Sequence, residues 1–159
     1  MDGQTQIGVI YDPSSDEMFV AQRSAGAKLN DVKIEAANAT KIDQGTVAVG
    51  YSNRVKATNV LPVVEALLDR GAMFHRNASG ALSLAYVAAG RLLGYMEEHM
   101  NAWDCLAGQL LVQEAGGGVE EQDAEQMIAQ GGRVVVGASK VFAELVEIAN
   151  KAWLADEGT

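Results

Sequence analysis

The stretch NAWDCLAGQLLVQEAGG, Asn101 to Gly117, sets one acid, Asp104, between an aromatic residue and a nearly uncharged run. From Cys105 to Ala115 the only charge is Glu114, Gln109 and Gln113 fall on one face at helical spacing, and Gly116, Gly117 and Gly118 close the pattern as C-terminal glycines do. The spacing predicts a buried helix whose first turn carries Asp104. An acid at that place has two uses: it caps free backbone N–H groups, or it holds a cation at the mouth of a site.

Working outward, the flanks alternate between strand and helix signals. Upstream, Leu93 to Met96 reads as a strand. A helix is predicted from Ser79 to Gly90, where Ala81, Ala85, Ala88 and Ala89 point to close packing against a neighbour. Met73 to His75 is extended, and before it Thr58 or Asn59 caps a helix through Arg70, with Pro62 in its first turn, Leu61, Val64 and Leu68 inward and Gly71 as its stop. Thr46 to Gly50 is a further strand. The first 35 residues read as an antiparallel meander: Ile7 to Tyr11, the turn Asp12-Pro13-Ser14-Ser15-Asp16, Met18 to Gln22, then short pieces at Ala27 to Leu29 and Val32 to Ile34 around Asn30-Asp31. Downstream, Val119 to Gln130 is acidic and without pattern, Val134 to Val136 is a buried strand, and Ser139 caps a last helix with Phe142, Leu145, Val146 and Ala149 inward. Strands and helices alternate after residue 45, so the predicted class is α/β in the layered, α+β sense, one domain over 1–159. A strand-first meander also leaves an open edge, which either another chain or further sequence is expected to cover.

The totals narrow the function. The 159 residues are 48% hydrophobic, enough for one real core. A net charge of -9 disfavours phosphate backbones and anionic membranes, so neither nucleic acid nor membrane is an expected partner. A phosphorylated small molecule remains compatible if cations neutralise the site. The single cysteine, Cys105, excludes an internal disulfide and a Cys-x-x-Cys zinc site. No apolar run has membrane-spanning length and the first twenty residues do not read as a signal peptide, so cytoplasmic residence is the expectation.

Three blocks, in order, resemble the inositol monophosphatase family of metal-dependent sugar-phosphate phosphatases. Ile7 to Asp31 resembles the family's hairpin and Gly-Ala-x-x-Asn turn. Ala78 to Glu98, ASGALSLAYVAAGRLLGYMEE, is similar to its Gly-Ser-Ala-Ala-Leu helix with a Gly-Arg and aromatic-x-Glu sequel. AWDCLAGQLLVQEAGG is similar to its most specific signature, built on Trp-Asp-x-Ala-Ala-Gly and Glu-Ala-Gly-Gly.

The resemblance implies the C-terminal part of an α-β-α-β-α sugar-phosphatase fold, with Mg2+ activating water for attack on a phosphate monoester. It assigns Asp104 to one catalytic metal and to the substrate hydroxyls, Glu97 to a polyol hydroxyl, and Ala78, Ser79 and Gly80 to the turn lining the substrate. A hard cation takes carboxylate oxygen, and ring hydroxyls take acceptors such as Glu97. It also suggests a homodimer.

Three positions depart from the pattern: Ala78 stands where glycine is usual, Gly80 where alanine is usual, and Leu93 where aspartate commonly follows Gly-Arg. The family's other metal ligands, an upstream Glu-Glu pair and Asp-Pro-x-Asp-Gly-Thr, do not occur in this chain. One carboxylate rarely holds a catalytic Mg2+ tightly, so little activity is expected from this chain without an N-terminal portion. The rival reading is a non-catalytic domain of the same fold that binds or regulates a partner chain.

Simpler readings stand beside these. Glu97 and Glu98 can be a solvated pair, Ser79 a plain cap, and Cys105 a small core residue. Asp12, Asp16 and Glu17 read as turn and surface acids. His75 and His99 are separated by a helix and a strand, against a shared metal role. The three glycines at 116 to 118 follow a helix where a phosphate-binding glycine loop would open one.

Overall fold

The computed structural model describes residues 3–154. Strands β1 (Ile7–Asp12), β2 (Glu17–Gln22), β3 (Gly26–Leu29) and β4 (Val32–Lys33) form an antiparallel sheet in chain order. Its turns use residues that tolerate left-handed backbone: Asp16, and the Asn30-Asp31 pair between β3 and β4, have φ of 55°, 44° and 65°. Asp12 departs from its surface reading. It is 6% exposed and accepts from the Ser14 N–H and hydroxyl and from the Ser15 hydroxyl, an Asx turn that shapes the first loop.

The second sheet is mixed, in the order β6-β5-β7-β9-β8. Strand β5 (Thr46–Val49) is parallel to both β6 (Met73–His75) and β7 (Gly94–Met100). Strand β9 (Gly132–Gly137) is antiparallel to β7 and to the short β8 (Gly118–Val119). Helices α2 (Gly80–Ala88) and α3 (Ala102–Glu114) lie between the two sheets, while α1 (Leu61–Asp69) and α5 (Phe142–Trp153) cover the far face of the second. The order is sheet, helices, sheet, helices, so the layered α/β class holds.

Two cores follow from these layers. Phe19, Ala21, Leu84, Ala88, Leu111 and Val136 fill the space between the sheets, and Val47, Leu67, Met96, Val135, Leu145 and Ile148 fill the space beyond the second. The run Val134-Val135-Val136 is apolar without a break because β9 is buried on both faces. Of the alanines read as close-packed, Ala85 and Ala88 are fully buried and Ala81 and Ala89 only partly so, and α2 does approach α3 closely: a Cβ on Gly108 of α3 would stand 2.5 Å from the Leu84 Cβ.

Local expectations fail where one pattern has two solutions. On α1 the inward residues are Val63 and Leu67, while Leu61 and Leu68 are 63% and 54% exposed. The helix enters through the 3-10 turn Ala57–Asn59 with Val60 as its N-cap, so neither Thr58 nor Asn59 caps it, and the face is rotated from the predicted one. Asn59 instead donates to Glu98 Oε1 at 2.9 Å. Helix α5 begins at Phe142 with Val141 as N-cap and no side-chain cap, so Ser139 does not serve. Its buried stripe is Leu145, Ile148 and Ala149, with Phe142 and Val146 at the margin. In the acidic run, Asp123 accepts from Gln126 N–H and starts a short helix, α4 (Ala124–Gln130), anchored by the buried Met127. Ser79 caps α2 by accepting from Leu82 N–H, as read. Gly71 and Gly116 end α1 and α3 with φ of 78° and 83°.

Candidate active-site cleft

Strands β5, β6 and β7 run parallel, so their carboxyl ends open on the same side, where ligands of α/β sheets bind. Three connections meet there: the loop after β5 carrying Arg54, the segment Arg76 to Ser79 leading into α2, and the first turn of α3. They enclose a cleft of about 310 Å³. A register shift between Glu97 and Met100 bends the end of β7. Strand β7 thus runs past its predicted end at Met96 and brings Glu97 into the wall.

All five residues singled out in the sequence, Ala78, Ser79, Gly80, Glu97 and Asp104, line this one cleft. Asp104 is exposed at the third position of α3, and its carboxylate makes no hydrogen bond among the described residues. The first turn of α3 has no side-chain cap, so the capping use of Asp104 is not taken up. Glu97 is 8% exposed. Burial pushes its carboxyl up and the charge of Asp104 adds to this, against a hydrogen bond from Tyr95 and the nearby Arg76 and His99. Glu97 and Glu98 are therefore not a solvated pair: alternation sends Glu98 to the other face and to Asn59. Burial also raises the Tyr95 hydroxyl, with the Glu97 charge next in effect, so Tyr95 stays protonated and donates.

The cleft contains groups to which sequence reading gave no role: Tyr95, Arg54, Arg76 and His99. Tyr95 lay within the aromatic-x-Glu motif; the arginines sit in loops without periodicity, and only the fold brings them together. Of the two histidines only His99 lines the cleft, and its Nε2 pairs with the Gln130 carbonyl at 2.9 Å. Cys105 is a core residue: it has no exposed surface, and burial pushes its thiol up to about 12, with Asp104 and Glu97 adding to this. A roomier hollow of about 480 Å³ between Gly3–Thr5, α3 and the β8–α4 segment includes Gln109, Gln113 and Gln122 in its lining and holds none of the five residues.

The sequence profile of the inositol monophosphatase family matches residues 1–154. The chain belongs to the inositol monophosphatase family. It is 38% identical to the Nus factor SuhB of Haemophilus influenzae over 147 residues, 90% of this chain and 54% of that protein. It is 36% identical to the inositol-1-monophosphatase of Mesorhizobium japonicum over 151 residues, 94% of this chain and 57% of that protein. Among solved structures, the inositol monophosphatase from Anabaena (Nostoc) sp. superposes with a TM-score of 0.83 at 31% identity, covering 94% of this chain and 60% of that one. Mycobacterium tuberculosis SuhB gives 0.84 at 25% identity, covering 96% and 61%.

The chain spans about half the length of the curated relatives it matches. Members of the inositol monophosphatase family are generally metal-dependent. Among the described residues, no group of three or more His, Cys, Asp or Glu side chains could hold a metal ion. The described residues thus do not fit a complete Mg2+ site. No helix among them is long and apolar enough to cross a membrane.

Proposed function

We propose that this chain forms the substrate-facing wall of a Mg2+-dependent phosphatase for inositol monophosphate or a similar small phosphate ester, and that it is inactive by itself. The observation that carries this reading is the convergence of Ala78, Ser79, Gly80, Glu97 and Asp104 on one cleft beside Arg54 and Arg76. Each group has a chemical use there. Glu97 accepts a hydroxyl of the polyol, and the Ser79 hydroxyl, whose oxygen already accepts from Leu82 N–H, keeps its proton for a ligand oxygen. The arginines offset the charge of a phosphate ester. Asp104 supplies one carboxylate to a Mg2+ whose other ligands lie outside this chain. The expected setting is the cytoplasm, with a small phosphorylated polyol as partner and a second copy or an N-terminal portion completing the site.

The test is Mg2+-dependent phosphate release from inositol 1-phosphate, by the chain alone and after adding the N-terminal portion of a family member as a separate polypeptide. Activity is expected only in the mixture, and Asp104→Asn should lower it about 100-fold. Unchanged activity in Asp104→Asn would remove the metal assignment. A second reading, a non-catalytic domain that binds or regulates a partner chain, is favoured by the incomplete ligand set and by the relatives named Nus factor. Association of the two polypeptides without any phosphate release would support it.

A further inference from the structure

A hydroxyl and a carboxylate meet in the wall of the cleft. Tyr95 and Glu97 are two residues apart on one face of β7, and the buried Tyr95 hydroxyl donates to Glu97 Oε2. Two glycines leave them room. A Cβ on Gly50 would collide with both the Tyr95 hydroxyl and the Glu97 carboxyl, and one on Gly80 would stand 2.8 Å from the hydroxyl and 2.6 Å from the Met100 methyl. The methyl ends a flexible chain and can turn away, whereas the phenol oxygen is fixed by a rigid ring. Neither glycine has left-handed backbone, so what each contributes here is space. Gly50 is itself tied to β7 by its N–H to the Met96 carbonyl at 2.8 Å, which holds the slot at a constant width. Gly80 is also one of the three departures from the family pattern, in which alanine is usual at that place.

We propose that Tyr95 is a positioning residue: seated between Gly50 and Gly80, its hydroxyl occupies Oε2 of Glu97 and leaves Oε1 to accept a hydroxyl of the polyol ligand. Oε1 makes no hydrogen bond among the described residues, and a carboxylate oxygen lining a cleft selects a ligand that brings a proton. The ligand class rests on the function proposed above; the slot does not. Partial desolvation of both groups strengthens the bond between them, because water competes poorly for either.

A double-mutant cycle on the 159-residue chain reads the slot directly. Gly80→Ala should lower Tm by about 3–8 °C, as a methyl forced into a filled site does. Tyr95→Phe alone should lower it less, and Tyr95→Phe with Gly80→Ala should recover most of the Gly80→Ala loss, because the ring then has no oxygen to strike. The 13C carboxyl resonance of Glu97 should move in Tyr95→Phe while that of Glu98 stays. Losses that simply add, or an unmoved Glu97 resonance, would overturn the proposal. Neither readout needs phosphatase activity, so its failure is separate from failure of the proposed function. Titration with myo-inositol completes the test: the Glu97 resonance should respond, with a Kd raised about 5-fold in Tyr95→Phe. An equal Kd would remove the positioning role, and no response in the unmutated chain would remove the polyol assigned to Oε1.

Discussion

At the first sheet, carboxylates are surrounded by donors from the chain itself; in the second, one carboxylate is left short of them. Asp12 is held below the usual aspartate range by the Ser14 hydroxyl and N–H, then Ser15 and Tyr86, against the effect of desolvation. Glu17 is lowered by the hydrogen bonds it accepts from Arg91, which also lies over the Phe19 and Tyr86 rings. For Glu114, partial burial pushes up, but N–H donors from Ser24, Gly26 and Ala25, with Arg23, outweigh it and the net shift is downward. Glu97 has one donor, Tyr95, and a like charge nearby, and burial prevails. The difference separates two uses of the same chemistry. A carboxylate saturated by its own chain fastens loops and helices; one kept short of donors keeps capacity for a ligand.

The most severe way to break this comparison is to damage the helix layer that both sheets share. Leu84→Ala, at a fully buried site against Gly108, should cost about 3–4 kcal/mol in urea unfolding and loosen both regions at once. Next in size is Glu114→Gln, which removes the charge that receives the Ser24 and Gly26 N–H groups at 2.9 Å each. A loss of about 1.5–3 kcal/mol is expected at pH 7. Because the folded pKa lies below the ordinary glutamate value of 4.5, this contribution is complete above that value and fades as pH falls through the folded one. The gap between Glu114→Gln and the unmutated chain should therefore narrow at pH 3.

Glu97→Gln sharpens the contrast, because its sign is opposite. With the folded pKa above 4.5, ionisation is disfavoured in the folded chain, and stability is lost as pH rises from 4.5 through the folded value. The amide still accepts from Tyr95, so Tm should rise by about 2–4 °C at pH 7 and be unchanged at pH 4. A fall at pH 7 would place Glu97 with the fastening carboxylates. The smallest effect belongs to the outer face of the first sheet, where Ile7, Val9 and Tyr11 are exposed. Val9→Thr should stay within about 0.5 kcal/mol by the same unfolding measurement.

Legibility in the sequence followed the same division. The meander, the α2 and α3 helices and the β9 strand were readable because turn residues and apolar runs act locally. The β7 extension was hidden, since Glu97-Glu98-His99 interrupts an apolar run and only the bulge and the cleft explain polar residues there. Helix α4 rests on one cap and one buried methionine, too little for a periodic signal. The rotated face of α1 was lost because Leu61, Val63, Val64, Leu67 and Leu68 offer two apolar stripes, and packing against α5 selects one. The five cleft residues were found through motif resemblance, whereas Tyr95's seat depends on Gly50, which lies far upstream and carries no signal of its own.

The parallel pairing of β5 with β7 also has a kinetic consequence. Strands β1 to β4 join through tight turns and can zip in microseconds, but β7 reaches β5 only after α1, β6 and α2 have been looped between them. Contacts of long sequence separation are late and slow to form, so the cleft should be the last part of the chain to assemble during refolding, after the hairpins of the first sheet are already in place.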